Sequence, residues 1–273
     1  MTPSTHEKCE ILGGASEARC LTVMKGRNLM SDTWIDIENV SFAYECGKTV
    51  LEDINLNLRD GDSIGIIGEN GVGKSTLLKM LVGLNLGFSG SIKVMGIPVG
   101  KKNLAEIRRK IGYVFQDSDS QLFMSTAYDD IAFAPRNYGL SEADVEARVE
   151  YALKLTGTTH LKNNQIYKMS GGEKKLISIA TILSMTPDII LMDEPSIALD
   201  PRNRRALINI LNSFNHLKII ASHDLDMILD TCETTVLLSD GRIIATGPTE
   251  EILSNKELME ANGLELPLCM QRR

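Results

Sequence analysis

Long hydrophobic runs are missing from this chain of 273 residues. None approaches the roughly 18–20 unbroken apolar residues that span a bilayer, which excludes direct insertion as a membrane helix. A basic surplus is missing too: 29 Lys and Arg stand against 36 Asp and Glu, a formal charge of −7. A nucleic-acid surface would show a basic stripe instead, so no nucleic-acid partner is expected. The five cysteines (Cys9, Cys20, Cys46, Cys232, Cys269) form no C-x-x-C pair and show no disulfide-like spacing, the usage of a reducing cytoplasm. His6, Cys9 and Cys20 lack the ligand spacing of a zinc site. No repeat recurs at a fixed period, and no basic region followed by an apolar core marks a signal peptide. What remains is ordinary for a soluble globular protein: 43% hydrophobic and 24% charged residues, enough chain for one large domain or two modest ones.

Residues 1–32 are polar, glycine-dotted and aperiodic, and are expected to form a disordered tail. Met30 stands just before the first strand-like segment, so the reading that the tail precedes the true translational start stays open. From Thr33 to Leu58, alternating apolar residues (Ile35, Ile37, Val40, Phe42, then Leu51, Ile54, Leu56, Leu58) predict antiparallel strands with one buried face. Short strands are predicted at Ile92–Met95 and Ile111–Phe115, with a charged helix near Asn103–Lys110. Ser141, with Asp144 three residues on, opens a helix whose apolar face is Val145, Val149, Ala152 and Leu153. Another helix starts near Ser170 and carries Ile177, Ala180, Ile182 and Leu183. Asp188–Asp193 and Lys218–His223 are near-continuous apolar runs ending in a carboxylate and a histidine. Such runs alternating with helices predict strands buried on both faces of a parallel sheet.

Residues Gly68-Glu69-Asn70-Gly71-Val72-Gly73-Lys74-Ser75 fit G-x-x-x-x-G-K-S/T. The flanks agree with the pattern: Ser63–Ile67 reads as a short buried strand and Thr76–Leu84 as an amphipathic helix. A strand, a glycine loop and a helix N-terminus aim backbone N–H groups and the positive end of a helix dipole at one point. Glycines at 68, 71 and 73 permit positive φ and close approach to an anion. Lys74 can reach β- and γ-phosphates, the Ser75 hydroxyl can ligate Mg²⁺, and Thr76 opens the helix. The plainer alternative is a glycine-rich turn that binds nothing.

Asp193 and Glu194 close an apolar strand at its C-terminal end, where open α/β sheets place ligands. One carboxylate there can hold Mg²⁺ and the next can polarise a water for attack on the γ-phosphate. An Asp-Glu pair is otherwise a common solvated turn. Met169-Ser170-Gly171-Gly172-Glu173, shortly before that strand, resembles the LSGGQ signature of ATP-binding cassette ATPases. Gln116 is similar to that family's Q-loop glutamine, Leu199-Asp200 to its D-loop, His223 to its switch histidine, and Tyr44 to the aromatic that stacks on adenine. The resemblance covers Asp32 to Arg273. It implies a RecA-like P-loop NTPase core with a mostly parallel sheet, an N-terminal antiparallel β subdomain, and a helical subdomain inserted over about residues 117–180. It further implies that Gln116 ligates Mg²⁺ and senses the nucleotide, and that His223 meets the γ-phosphate. Ser170, Gly171, Gly172 and Asp200 are then expected to contact nucleotide in a dimer that sandwiches two ATP molecules. Met169 for leucine, Glu173 for glutamine and Leu176 for a basic residue are departures that leave the serine and glycines intact.

Gln116-Asp117-Ser118-Asp119-Ser120-Gln121-Leu122-Phe123 is similar to the Q-D-P-D-x-Q-L-F stretch of energy-coupling-factor importers, and Ile131–Ser141 continues the likeness. Asn262-Gly263-Leu264-Glu265-Leu266-Pro267 resembles the ending of the cobalt- and nickel-transport members. These likenesses imply a peripheral subunit on the cytoplasmic face of the cell membrane, driving separate transmembrane subunits. The Gln116 loop is expected to be a hinge between two rigid bodies, with Phe123, Met124 and Tyr128 gripping the membrane partner or else forming ordinary core. A soluble non-transport cassette ATPase and a conventional importer or exporter ATPase remain the alternatives.

Overall fold

The computed structural model describes residues 33–45 and 47–271. The tail expectation, with Met30, His6, Cys9 and Cys20, lies outside the described residues. Along the chain run β1 (Thr33–Ala43), β2 (Thr49–Arg59), β3 (Ser63–Ile67), α1 (Lys74–Leu81), β4 (Ser89–Val94), β5 (Ile97–Pro98), α2 (Leu104–Lys110) and β6 (Ile111–Val114). A short 3₁₀ turn at Ser118–Ser120 leads to α3 (Ala127–Asn137), α4 (Glu142–Leu155) and α5 (Gly171–Leu183). Then follow β7 (Ile189–Asp193), α6 (Pro201–Ser213), β8 (Leu217–Ala221), α7 (Leu225–Thr231), β9 (Thr234–Ser239), β10 (Arg242–Pro248), α8 (Thr249–Ser254) and α9 (Lys256–Ala261).

Two sheets result. An antiparallel one has the order β2-β1-β4-β5, and a larger one the order β10-β9-β3-β8-β7-β6. In the larger sheet all neighbours are parallel except the β10–β9 edge. Its inner strands are buried on both faces, so consecutive residues feed different cores. Ile64, Ile66, Ile189, Leu191 and Ile219 pack with α1 and the antiparallel sheet, whereas Ile67, Ile190, Met192 and Ile220 pack with α3, α4, α5 and α6. That double burial is why these strands are apolar throughout rather than alternating.

Register decides what meets at the sheet's edge. Ile66 lies opposite Ala221, Ala221 opposite Asp193, and Met192 opposite Val114. Because these strands run parallel, the residues that leave them C-terminally emerge side by side: Gly68, Gln116, Glu194 and His223.

Several element bounds differ from expectation. The helix after the glycine loop begins at Lys74, directly behind Gly73 (φ 114°), and ends at Leu81 where Gly83 (φ 64°) turns the chain. It thus starts two residues before the predicted Thr76–Leu84, because the Gly73 cap leads straight into it, and stops three short, because Gly83 takes a positive φ. The helix expected from near Ser170 is α5, which runs to Leu183 because Ile182 and Leu183 continue its buried face. It ends before Thr186 (φ 51°) and Pro187. β4 begins at Ser89 and closes at Val94, with Met95 (φ 49°) in the turn to β5. Ser141 caps α4 by accepting from the Asp144 N–H, and Val145, Val149, Ala152 and Leu153 are buried as the periodicity predicts.

Candidate functional site

The glycine loop is shaped by contacts as well as by φ. A Cβ on Gly68 (φ 150°) would fall 2.1 Å from the Leu238 carbonyl oxygen, and one on Gly73 would fall 2.7 Å from Leu51. Gly71 (φ 83°) meets nothing within 4 Å, so only its backbone conformation demands glycine there. Lys74 is 6% exposed. Its Nζ donates to the carbonyls of Gly68 (2.7 Å) and Glu69 (3.0 Å), folding the ammonium back over the loop. Burial pushes its pKa down, against the pull of Glu194 and Asp193.

Ser75, the second residue of α1, donates to Asp193 Oδ1 at 2.8 Å. Tyr113, on β6, donates to the other carboxylate oxygen at 3.3 Å. Burial raises the Asp193 pKa, opposed by these two hydrogen bonds. Burial, and then Asp193 itself, push the Tyr113 phenol upward, so it stays a donor. Tyr113 is a residue that sequence reasoning missed; it read only as one position of an apolar strand.

Glu194 sits at φ 47°, a left-handed conformation uncommon outside glycine and characteristic of functional turns. Its carboxylate, 6% exposed, accepts from Ser222 Oγ (3.1 Å) and from the His223 N–H (3.1 and 3.2 Å), and meets His223 Nδ1 at 2.7 Å. A carboxylate that is ionised can only accept, so in that contact Nδ1 is the donor, and the imidazole stays more than half exposed. The next residue, Asp224, caps α7 and takes a bidentate pair from Arg204 of α6, both bonds 2.7 Å. That pair fixes the turn from which His223 projects.

Asn70, Gly71, Gly73, Lys74, Ser75 and Thr76 line a cleft of about 400 Å³ together with Gln116, Glu194 and His223. Asp193 and Gln116 also border an adjoining cleft. Gly68, Glu69 and Val72 shape the loop from behind: Gly68 and Glu69 through the carbonyls that hold Lys74, Val72 by packing on the core. Tyr44 stands beside the cleft, half exposed, its ring edge-on to Phe42 and its hydroxyl 3.1 Å from Thr76 Oγ1.

Other expected residues do not line the glycine-loop cleft of their own chain, although Gly171 borders the adjoining one beside Gln116 and Asp193. Ser170 caps α5 in a full capping box with Glu173. Gly171 and Gly172 face the Ala198 turn, where a Cβ on Gly172 would be 3.1 Å from the Ala198 carbonyl. Asp200 caps α6, accepting from the Asn203 N–H at 2.8 Å. Phe123 is 64% exposed and meets Phe133 edge-on at 4.8 Å, whereas Tyr128 packs partly on the helical core beneath Arg136 and Lys162. Met124 is partly buried, its N–H held by the Asp130 carboxylate. At the C-terminus, Gly263 lies so close to Glu69 that a Cβ would overlap its carboxylate, and Leu268 and Cys269 donate to Asp226 of α7.

Comparison with known proteins agrees with this geometry. The family model described as ABC transporter matches residues 51–197. A Geobacter sulfurreducens protein, whose name places it among ABC transporter ATP-binding proteins, is 46% identical over 89% of this chain and 97% of its own length. The energy-coupling factor transporter ATP-binding protein EcfA of Carboxydothermus hydrogenoformans is 40% identical over 87% of this chain and 88% of its own. Among solved structures, CbiO1 of Clostridium perfringens, part of the ABC transporter complex CbiONQ, matches with a TM-score of 0.75 and 35% identity. That match covers 88% of this chain and 98% of CbiO1. With a nucleotide-loop geometry of this kind and relatives this similar along nearly their whole length, the chain belongs to the ABC transporter ATPases, the ATP-binding and ATP-hydrolysing subunits of such transporters.

Proposed function

We propose that this chain is the ATPase subunit of an energy-coupling-factor importer, working as a dimer with two ATP molecules between its subunits on the cytoplasmic face of the cell membrane. The observation that carries the reading is the Gln116–Phe123 segment. Its importer-like sequence leads directly from the ATP cleft to an exposed Phe123–Phe133 pair on the helical subdomain. An apolar aromatic pair on the surface, one loop away from the γ-phosphate position, suits a grip on the cytoplasmic helices of a transmembrane partner. The likeness to EcfA and CbiO1 supports the same assignment. The cargo is a small substrate, cobalt or nickel ion by the likeness of Asn262–Pro267, and it is bound by the membrane partners rather than by this chain.

Each residue has a task in that reading. Lys74 and the loop N–H groups hold the β- and γ-phosphates, and Tyr44 offers a face to adenine. The oxygens of Ser75, Asp193 and Gln116 form a hard, sparse donor set that fits Mg²⁺ completed by phosphate and water. Mg²⁺ bound there would offset phosphate charge during transfer. Tyr113 orients Asp193. Glu194 polarises the attacking water and takes its proton, its carboxylate aimed by Ser222 and the His223 N–H. His223, with a proton on Nε2 as well as on Nδ1, donates to the γ-phosphate. Ser170, Gly171, Gly172 and Asp200, none of which lines the glycine-loop cleft of its own chain, serve the nucleotide of the opposite subunit, which supports the dimer.

The test replaces Phe123 and Phe133 with alanine in cells that also make the membrane subunits. Melting temperature and basal ATPase are expected to hold while recovery of the transmembrane partner in a membrane pull-down is lost. Undiminished recovery would place the coupling surface elsewhere.

A further inference from the structure

Lys175 is the bulkiest of the fully buried side chains, 1% exposed, on the second turn of α5. A buried ammonium is costly unless its donors are used. Here Nζ donates to two main-chain carbonyls, Phe115 (2.8 Å) and Gln116 (3.0 Å). Gln121 holds the same loop by its other group. Its Oε1 accepts from the Phe115 N–H at 3.1 Å, while its Nε2 donates to the Ser178 carbonyl (2.7 Å) and Thr181 Oγ1 (2.9 Å) on α5. Lys174, the preceding residue, pairs with Asp119 at 2.6 Å. The main chain at Phe115–Gln116 is thus tied by one N–H and two carbonyls, every tie ending on α5. The Gln116 loop, expected as a hinge between two rigid bodies, is in this structure bonded to one of them, the helical subdomain, through α5.

We propose that Lys175 and Gln121 are positioning residues that fasten the Gln116 loop to α5. Gln116, in one subunit's ATP cleft, and the Ser170–Gly172 segment at the start of α5 therefore move as one body. The proposal rests on the functional reading of Gln116 and Ser170 given above. It makes the signature segment of each subunit follow the nucleotide in that subunit's own cleft. A lysine serves better than an apolar residue at 175 because two carbonyls must be held at once, and a glutamine at 121 because it must accept and donate.

Two measurements on the full chain test this. Hydrogen–deuterium exchange of nucleotide-free protein reads the clamp without catalysis. Lys175→Met is expected to raise exchange in residues 115–121 by about tenfold or more while α3 and α4 stay protected. Gln121→Leu, at a half-buried position, serves as the second variant should Lys175→Met fail to fold. A double-mutant cycle then reads the coupling. Either clamp variant alone is expected to lower ATP turnover about tenfold, and to lower it little further when Gln116 is already alanine. Unchanged exchange in 115–121 overturns the clamp. Raised exchange with losses that multiply fully with Gln116→Ala overturns the coupling while sparing the ATPase assignment. Normal turnover in Gln116→Ala alone instead removes the role given to Gln116, and the proposal with it.

Discussion

Lys74 and Glu194 bring opposite charges to one cleft, and their immediate partners decide what each does. The Lys74 ammonium is held by carbonyls of its own loop, which pre-places it for the phosphate contact proposed above. Glu194 is gripped on one side by Ser222 and His223, which leaves it aimed rather than mobile. Lys74→Ala removes a charged hydrogen-bond donor from a preorganised loop and is expected to weaken ATP binding by about 1.5–3 kcal/mol without unfolding the protein. Calorimetry with ATP checks this; equal affinity in parent and variant would take Lys74 out of the site. Tyr113 and Arg204 act one step back, through Asp193 and Asp224, which is why neither stands out in a search for phosphate-binding patterns.

Helices α4 and α5 begin alike, each with a serine cap three residues ahead of an acidic residue. Only Ser170 is given a nucleotide contact as well. Ser141→Ala and Ser170→Ala should each cost about 1 kcal/mol of stability. ATPase activity should survive the first change and collapse with the second. Equal activity in both would reduce Ser170 to a cap. At this scale much was legible in the sequence. The glycine loop, both capped helices and the carboxylate- and histidine-terminated strands were readable because local patterning and buried parallel strands share one signal. Less legible were contacts formed only by packing distant segments: Lys175 to the Gln116 loop, Gln121 to α5, and Tyr113 to Asp193. The run of α5 to Leu183 was legible too, since Ile182 and Leu183 continue the apolar face read from Ile177 and Ala180. The elements from α6 to α9 carry no chemistry-bearing pattern apart from Asp200 and His223, and left little to read.

At the scale of the molecule, one parallel sheet gathers what four separate segments supply, and the antiparallel sheet and helical subdomain flank that edge. Ser170, Gly172 and Asp200 lie outside the cleft lined by the glycine loop, and in the proposed dimer they would close the opposite subunit's site. The central claim is that Glu194 performs the chemical step in a site that binds ATP without it. The most direct measurement is ATP binding and steady-state hydrolysis of Glu194→Gln beside the parent, under one set of conditions. The account predicts retained binding with hydrolysis lowered about 10²-fold or more. Hydrolysis at the parent's rate would contradict it.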